Sequence, residues 1–276
     1  MGAVAAWWRH RTLWQKFLLF LIVAGSAVFA FAITRESVEE VSTIMTISVP
    51  GVEPQPLTEG SDPAWSPDGE LIAFTFDGEN GDEIHTIDAG GSSSTFIVRG
   101  SDPAWSPDGS TLAFVVDDDA QGIYTMVLEG TDPVFLTEGA NPAWSPDGSK
   151  LVFDRELARG RSWVHVIDLG TSMVTAITEG EDPAWSPDSS RFAFVRDDGD
   201  GPGIYVWDLD DGEEEHVARG DDPSWSLSGD LAFVVNGRDG LVVHTLEPNA
   251  APVSLTDGER PSWSSDGRTI VFVRQS

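Results

Sequence analysis

Six residues stand where they could do chemistry together: Asp62, Asp102, Asn141, Asp182, Asp222 and Arg260. Each comes directly before a proline, and each of those prolines lies two residues before a tryptophan. The tryptophans are Trp65, Trp105, Trp144, Trp185, Trp225 and Trp263, spaced by 40, 39, 41, 40 and 38 residues. At equivalent points of a closed repeat, four carboxylates, one amide and one guanidinium would form a ring. Like charges held close cost energy unless a cation or a basic peptide compensates them. Arg260 breaks the pattern and is suited to pair with a neighbouring Asp or to orient an acidic ligand group. The competing role is structural, an Asp satisfying backbone amides in the loop before a strand.

Other candidates carry less. Nothing matches the G-x-S-x-G nucleophile elbow or the H-E-x-x-H zinc motif, and the chain has no cysteine. His85, His165 and His244 take the place that Tyr124 and Tyr205 fill in other repeats, so the position reads as aromatic packing, not as a metal site. His216 reads as surface, and His10 precedes the apolar N-terminal run. Asp68, Asp108, Asp147, Asp188 and Asp266 belong to S-P-D-G-like turns, where Ser228 replaces the Asp in the fifth unit. The loop 197–203 (DDGDGPG) looks like part of a calcium loop but lacks the distal Glu and the spacing. It reads as a strand connection, as does DDDAQG in the second unit. No catalytic residue, metal or cofactor is assigned.

The elements that would position the ring follow from the repeat. Each unit opens with a Gly five residues before the tryptophan (Gly60, Gly100, Gly139, Gly180, Gly220, Gly258) and a short strand around P-A-W-S. Pro then presets φ for a type I turn, and Asp and Gly suit the positions that close it. A β-rich run with one Phe follows (Phe74, Phe114, Phe153, Phe194, Phe233, Phe272), then a polar gap, a third strand such as EIHTID or GIYVWDL, and a short fourth. Alternation and β-branched content argue strands over helices. Repeated four-stranded units of this period read as a six-bladed β-propeller. The last unit stops after two strands, and two unassigned strands lie at residues 43–49 and 53–60. Together these would close the sixth blade two plus two and remove an open sheet edge. The Trp of each unit would pack between adjacent blades.

G-x-D-P-A-W-S-P-D-G, followed by I/L-A-F and then I-Y-x-x-D, resembles the repeat of TolB-type, WD-like propellers over residues 43–276. The resemblance implies a propeller fold. It does not fix the function, because related blades occur in periplasmic assembly proteins and in the non-catalytic domain of prolyl-oligopeptidase-like peptidases. The α/β domain that precedes the propeller in TolB itself has no counterpart in this sequence.

Residues 1–33 carry Arg9, Arg11 and Lys16 and no acidic residue, and residues 17–33 are apolar. The expectation is a short cytoplasmic segment at 1–16, a transmembrane signal-anchor helix at 17–33 and a polar tether at 34–42, with the propeller outside the cytoplasm. The alternative is a secreted protein cleaved at Ala30-Phe31-Ala32. The net charge is −30; with the three positive charges of residues 1–33 set aside, the rest carries −33. That argues against nucleic acid or anionic lipid as a partner of the propeller. It fits a halophile-like surface, a surface for cations or basic partners, or plain solubility. The expected function is a non-enzymatic, monomeric, membrane-anchored scaffold that binds an exported protein or peptide through the channel mouth. The alternatives are a propeller hydrolase or lyase using carboxylates there, or a cation-stabilised sensor.

Overall fold

The computed structural model describes residues 20–24, 27–31, 41–49, 51, 53–117, 121–128, 130, 132–157, 160–238 and 240–275. From Val41 on, the chain forms six four-stranded antiparallel sheets. Blade 1 consists of Ser61–Trp65, Leu71–Gly78, Gly81–Asp88 and Ser94–Arg99. Blades 2 to 5 repeat this pattern over residues 101–138, 140–179, 181–219 and 221–257. Blade 6 joins Glu259–Trp263 and Thr269–Gln275 to Ser42–Ser48 and Gln55–Glu59 from the other end of the chain. The pairing runs unbroken from Thr269↔Ser48 to Gln275↔Ser42. This is the expected two-plus-two closure. The first strand of each blade touches that of the next, and Glu259–Trp263 touches both Asp221–Trp225 and Ser61–Trp65, so the inner strands close a circle.

The core lies between blades. The six phenylalanines of the second strands are at most 1% exposed. Each tryptophan of the repeat packs with residues of the preceding blade. Trp105 clusters with Ala73 and Ile84, Trp185 with Val152 and Val164, and Trp65 with Ile44 and Val271 of blade 6. Two indoles also hydrogen-bond across the seam: Trp105 Nε1 donates to the Ala64 carbonyl and Trp185 Nε1 to the Ala143 carbonyl, both at 3.1 Å. The packing role expected for these tryptophans is therefore the observed one.

The opening glycine explains how the first strand can lie so close to the second. A Cβ on Gly100 would sit 2.5 Å from the Val115 carbonyl oxygen and 2.8 Å from Cδ2 of Phe114, with φ at +146°. The same clash with the Phe of the blade recurs at all six positions. At the other end of the first strand, the turn is locked by a buried serine. Ser145 Oγ donates to Asp147 Oδ1 at 2.6 Å and accepts from Lys150 N at 2.9 Å, while Ser149 N donates to Asp147 Oδ1 at 2.9 Å. Blade 5 reaches the same end differently. Its turn is one residue shorter, and Asp230 takes over the carboxylate role through Ser228 (2.6 Å).

Residues 1–40 form a unit of their own. Of the helix expected at 17–33, the described residues 20–24 and 27–31 form none. Phe20–Ala24 and Ala27–Phe31 pair antiparallel, from Phe20↔Phe31 to Ala24↔Ala27. Phe, Ile and Val favour strands. Among the described residues no helix is long and apolar enough to cross a membrane. The segment expected at 1–16, including His10, and residues 34–40 of the expected tether lie outside the described residues.

Two outcomes follow. Gly100→Ala combines overpacking against a backbone carbonyl with an unfavourable φ, so urea denaturation is expected to show a loss of about 2–4 kcal/mol. Gly81→Ala, with nothing within 4 Å of its Cβ, should cost less. The second outcome concerns acid. Hydrogen bonds from Ser106, and then from Ser110, hold the Asp108 carboxyl down at about 2. A carboxyl lowered in the folded state stabilises above the unfolded value of 3.8, and that contribution disappears as pH falls through the folded one. The stability difference between wild type and Asp108→Asn should therefore be full above pH 4 and shrink towards pH 2 in acid titrations followed by circular dichroism.

Candidate functional site

The six residues before the prolines all occupy one backbone state. Their φ angles are 49° at Asp62, 50° at Asp102, 49° at Asn141, 50° at Asp182, 49° at Asp222 and 52° at Arg260. The cause is a β-bulge in every first strand. Ser61 pairs with Thr75 and Ala64 with Ala73, so Asp62 and Pro63 face the single Phe74. The bulge places a residue in the left-handed region, where Asp and Asn are tolerated best after Gly. The proline after it has no N–H to leave unpaired in the broken ladder. Arg260 is the one ring residue without that local tolerance.

Because the inner strands close a circle, these six positions ring one mouth of the channel. The S-P-D-G turns lie at the far ends of the same strands, on the opposite face. All six ring residues are half-buried. Their backbone N–H groups draw on different acceptors. Asp102 N donates to Thr75 Oγ1 at 3.2 Å, Asp182 N to Asp154 Oδ1 at 3.2 Å and Arg260 N to Asp222 Oδ2 at 3.3 Å. Each of these bonds reaches back to the preceding blade.

Arg260 of blade 6 forms an ion pair with Asp62 of blade 1, the neighbour pairing that its place in the sequence suggested. On the blade 4–5 side, single carboxylate oxygens of Asp182, Asp221 and Asp222 lie within 4.8 Å of one another. Such spacing raises the energy of the ionised set, and one incoming positive charge can serve all three.

Two members of this side escaped the sequence analysis. Asp221 was hidden as the neighbour of Asp222. Asp154 takes a slot that holds Val115, Val195, Val234 and Val273 in other blades and Thr75 in blade 1. It is only 5% exposed. Its Oδ1 accepts from Asn141 Nδ2 at 2.7 Å as well as from Asp182 N. Burial, and next the charge of Asp182, push its carboxyl well above the usual range. A lone Asp in an apolar run, KLVFD, was the signal available.

The remaining candidates fall to structural roles. His85, His165 and His244 lie against Phe74, Phe153 and Phe233 at 5.9, 5.4 and 5.7 Å between ring centroids, as Tyr124 and Tyr205 lie against Phe114 and Phe194. Burial holds the His165 ring below its ordinary pKa. The 197–203 loop uses its carboxylates internally. Asp198 pairs with Arg219 at 2.7 Å and accepts from Tyr205 Oη at 3.1 Å, and Asp197 Oδ1 accepts from Gly199 N at 2.8 Å.

The family profile described as TolB beta propeller domain matches residues 135–276. No curated protein matches the chain in sequence. A structure assigned as TolB from Agrobacterium tumefaciens superposes with TM-score 0.74 at 20% identity, covering 86% of this chain and 99% of that one. TolB from Acinetobacter baumannii gives 0.66 at 18%, covering 86% of this chain and 64% of that one, so this chain spans under two thirds of that protein. A gluconolactonase from Xanthomonas campestris gives 0.60 at 11%, covering 78% and 86%. At these identities the likeness is one of fold.

The left-handed state of the ring yields a test. Asp102→Asn is expected to leave stability within about 0.5 kcal/mol, whereas Asp102→Val, β-branched at positive φ, should cost about 2 kcal/mol or more. Equal denaturation midpoints for the two variants would contradict the assigned backbone state.

Proposed function

The chain belongs to the TolB β-propeller domain family, and from that premise we propose that it is an exported, non-enzymatic scaffold whose channel mouth binds a basic segment of another exported protein. The observation that carries this reading is the polarity of the mouth. Asp62 pairs with Arg260, and single carboxylate oxygens of Asp182, Asp221 and Asp222 lie within 4.8 Å of one another. A lysine or arginine side chain supplies the positive charge that such a cluster favours. The −33 carried outside residues 1–33 would steer a basic partner towards the propeller and repel nucleic acid.

Arg9, Arg11 and Lys16 ahead of the apolar residues 17–33 support a membrane tether with the N-terminus in the cytoplasm. In a bilayer every backbone polar group must be satisfied, which favours a helix over an isolated two-stranded hairpin. Cleavage after Ala32 would release the same propeller.

A hydrolase or lyase reading draws on one specific observation, the Asp154 carboxyl whose pKa is pushed up by burial and by the charge of Asp182. Against it, Asp154 is almost wholly buried and accepts its hydrogen bonds from the channel wall.

Cross-linking and affinity capture from the native membrane, read by mass spectrometry, test the proposal. An exported partner captured by wild type should be lost from the folded variant Asp62→Asn, Asp102→Asn, Asp182→Asn, Asp222→Asn. Undiminished capture by that variant, or turnover of an ester or lactone by the propeller, would contradict it.

A further inference from the structure

The fourth strand of every blade is the edge of its sheet. An open edge invites pairing by another chain, and proline, charge or shortness blunts it. Blade 6 has Pro56 inside this strand, and blades 2 and 5 have Pro133 and Pro252 directly before it. Blade 4 begins it with Glu214 and Glu215. Blade 3 has none of these devices: residues 169–178 (LGTSMVTAIT) contain no proline and no charged side chain. Its edge strand, Met173–Glu179, has seven residues where the other five have five or six. It also runs straight for longest. Four consecutive pairs, from Asp168↔Met173 to His165↔Ala176, precede its bulge, and the other edge strands have two or three. Met173, Val174, Thr175 and Ala176 are all exposed, Met173 at 64%.

Charge says which chain can occupy this edge. Residues 140–179 of blade 3 hold five acidic and four basic side chains. Blade 1, whose edge strand also starts without charge, holds eight acidic and one basic over 61–99. Blade 2 holds eight and none over 101–138, and blade 4 twelve and three over 181–219. Blade 6 is as balanced as blade 3, but Pro56 closes its edge. A basic partner is drawn to the acidic blades and gains little at blade 3. A second copy of this chain, itself at −30, is repelled everywhere except at a neutral sector. We infer that the outer edge of blade 3 pairs antiparallel with the same edge of a second copy, in place of the monomer expected from the sequence. Such a contact is self-complementary across a two-fold axis, and it joins two four-stranded sheets into one of eight. One strand pair falls well short of the roughly 1,200–2,000 Å² of a stable interface, so the dimer is reversible. Salt screens the repulsion between the acidic blades and leaves the backbone ladder intact, so the dimer tightens with ionic strength.

The test is sedimentation velocity of the full chain over a concentration series at low and high salt. Thr175 and Thr95 hold equivalent places in blades 3 and 1, opposite Val166 and Thr86, and both are exposed. Thr175→Glu sets like charges against each other across the two-fold and is expected to abolish the dimer. Thr95→Glu makes the same change in net charge and should leave it unchanged. Thr175→Lys lowers the net negative charge yet should also abolish the dimer, and it serves as the second variant should the glutamate disturb folding. Because the chain has no cysteine, Thr175→Cys also offers a single thiol. Under mild oxidation it should form a covalent dimer in far higher yield than Thr95→Cys.

A wild type that stays monomeric at every concentration and both salt levels would overturn the inference. So would association that Thr175→Glu and Thr175→Lys leave intact, the result expected if the apolar residues 17–33 held the copies together. Association that weakens as salt rises would overturn the charge argument for a second copy.

Discussion

The structure depends on one close approach, that of the opening glycine of each blade to the phenylalanine and carbonyl of the second strand. A side chain at Gly60 or Gly139 would stand 2.7 or 2.5 Å from the phenylalanine ring of its blade. Only a bare backbone lets the first strand lie so near the second. That approach leaves two residues facing one and generates the bulge. The bulge in turn sets the left-handed residue at the mouth and the buried proline behind it. The tryptophan two residues on then reaches the preceding blade, and the buried serine starts the turn. The ten-residue phrase is thus a chain of geometric consequences, which is why it is repeated as a block.

A repeated geometry with unequal residues gives the molecule its direction. Six equivalent backbone sites receive four aspartates, one asparagine and one arginine, with an Asp62–Arg260 pair that ties the closing blade to the first. Arg260 also donates its N–H to Asp222, so blades 5, 6 and 1 are linked through one residue at the seam where the chain ends meet. Three carboxylates, those of Asp182, Asp221 and Asp222, crowd together at blades 4 and 5. Symmetry of fold with asymmetry of charge is the feature that a ligand could read.

Much of this was legible from residue types. The 40-residue period, the four-strand unit and the two-plus-two closure follow from spacing and from where the last unit stops. The His85, His165 and His244 assignment followed from alignment with Tyr124 and Tyr205, because packing slots repeat whereas metal sites rarely do. The ring was located at the entrance to the first strand, but its left-handed state was not foreseen, although a Gly two residues ahead and a Pro directly behind were both in view. Asp154 was invisible to repeat logic for a plain reason. A reading built on what six units share discards what only one of them carries. The apolar run at 17–33 reads as a helix by length and hydropathy, whereas its β-branched and aromatic residues pair as strands in the described residues 20–24 and 27–31.

Carboxyl footprinting of the native protein, with and without its captured partner, tests the mouth as a binding surface most directly. Carbodiimide-driven labelling, read residue by residue by mass spectrometry, reports which carboxylates a partner covers. The account predicts protection concentrated at Asp182, Asp221 and Asp222, with rim carboxylates such as Asp200 and Asp210 labelled as before. Protection confined to the rim or to the S-P-D-G face, with the mouth aspartates labelled undiminished, would contradict it.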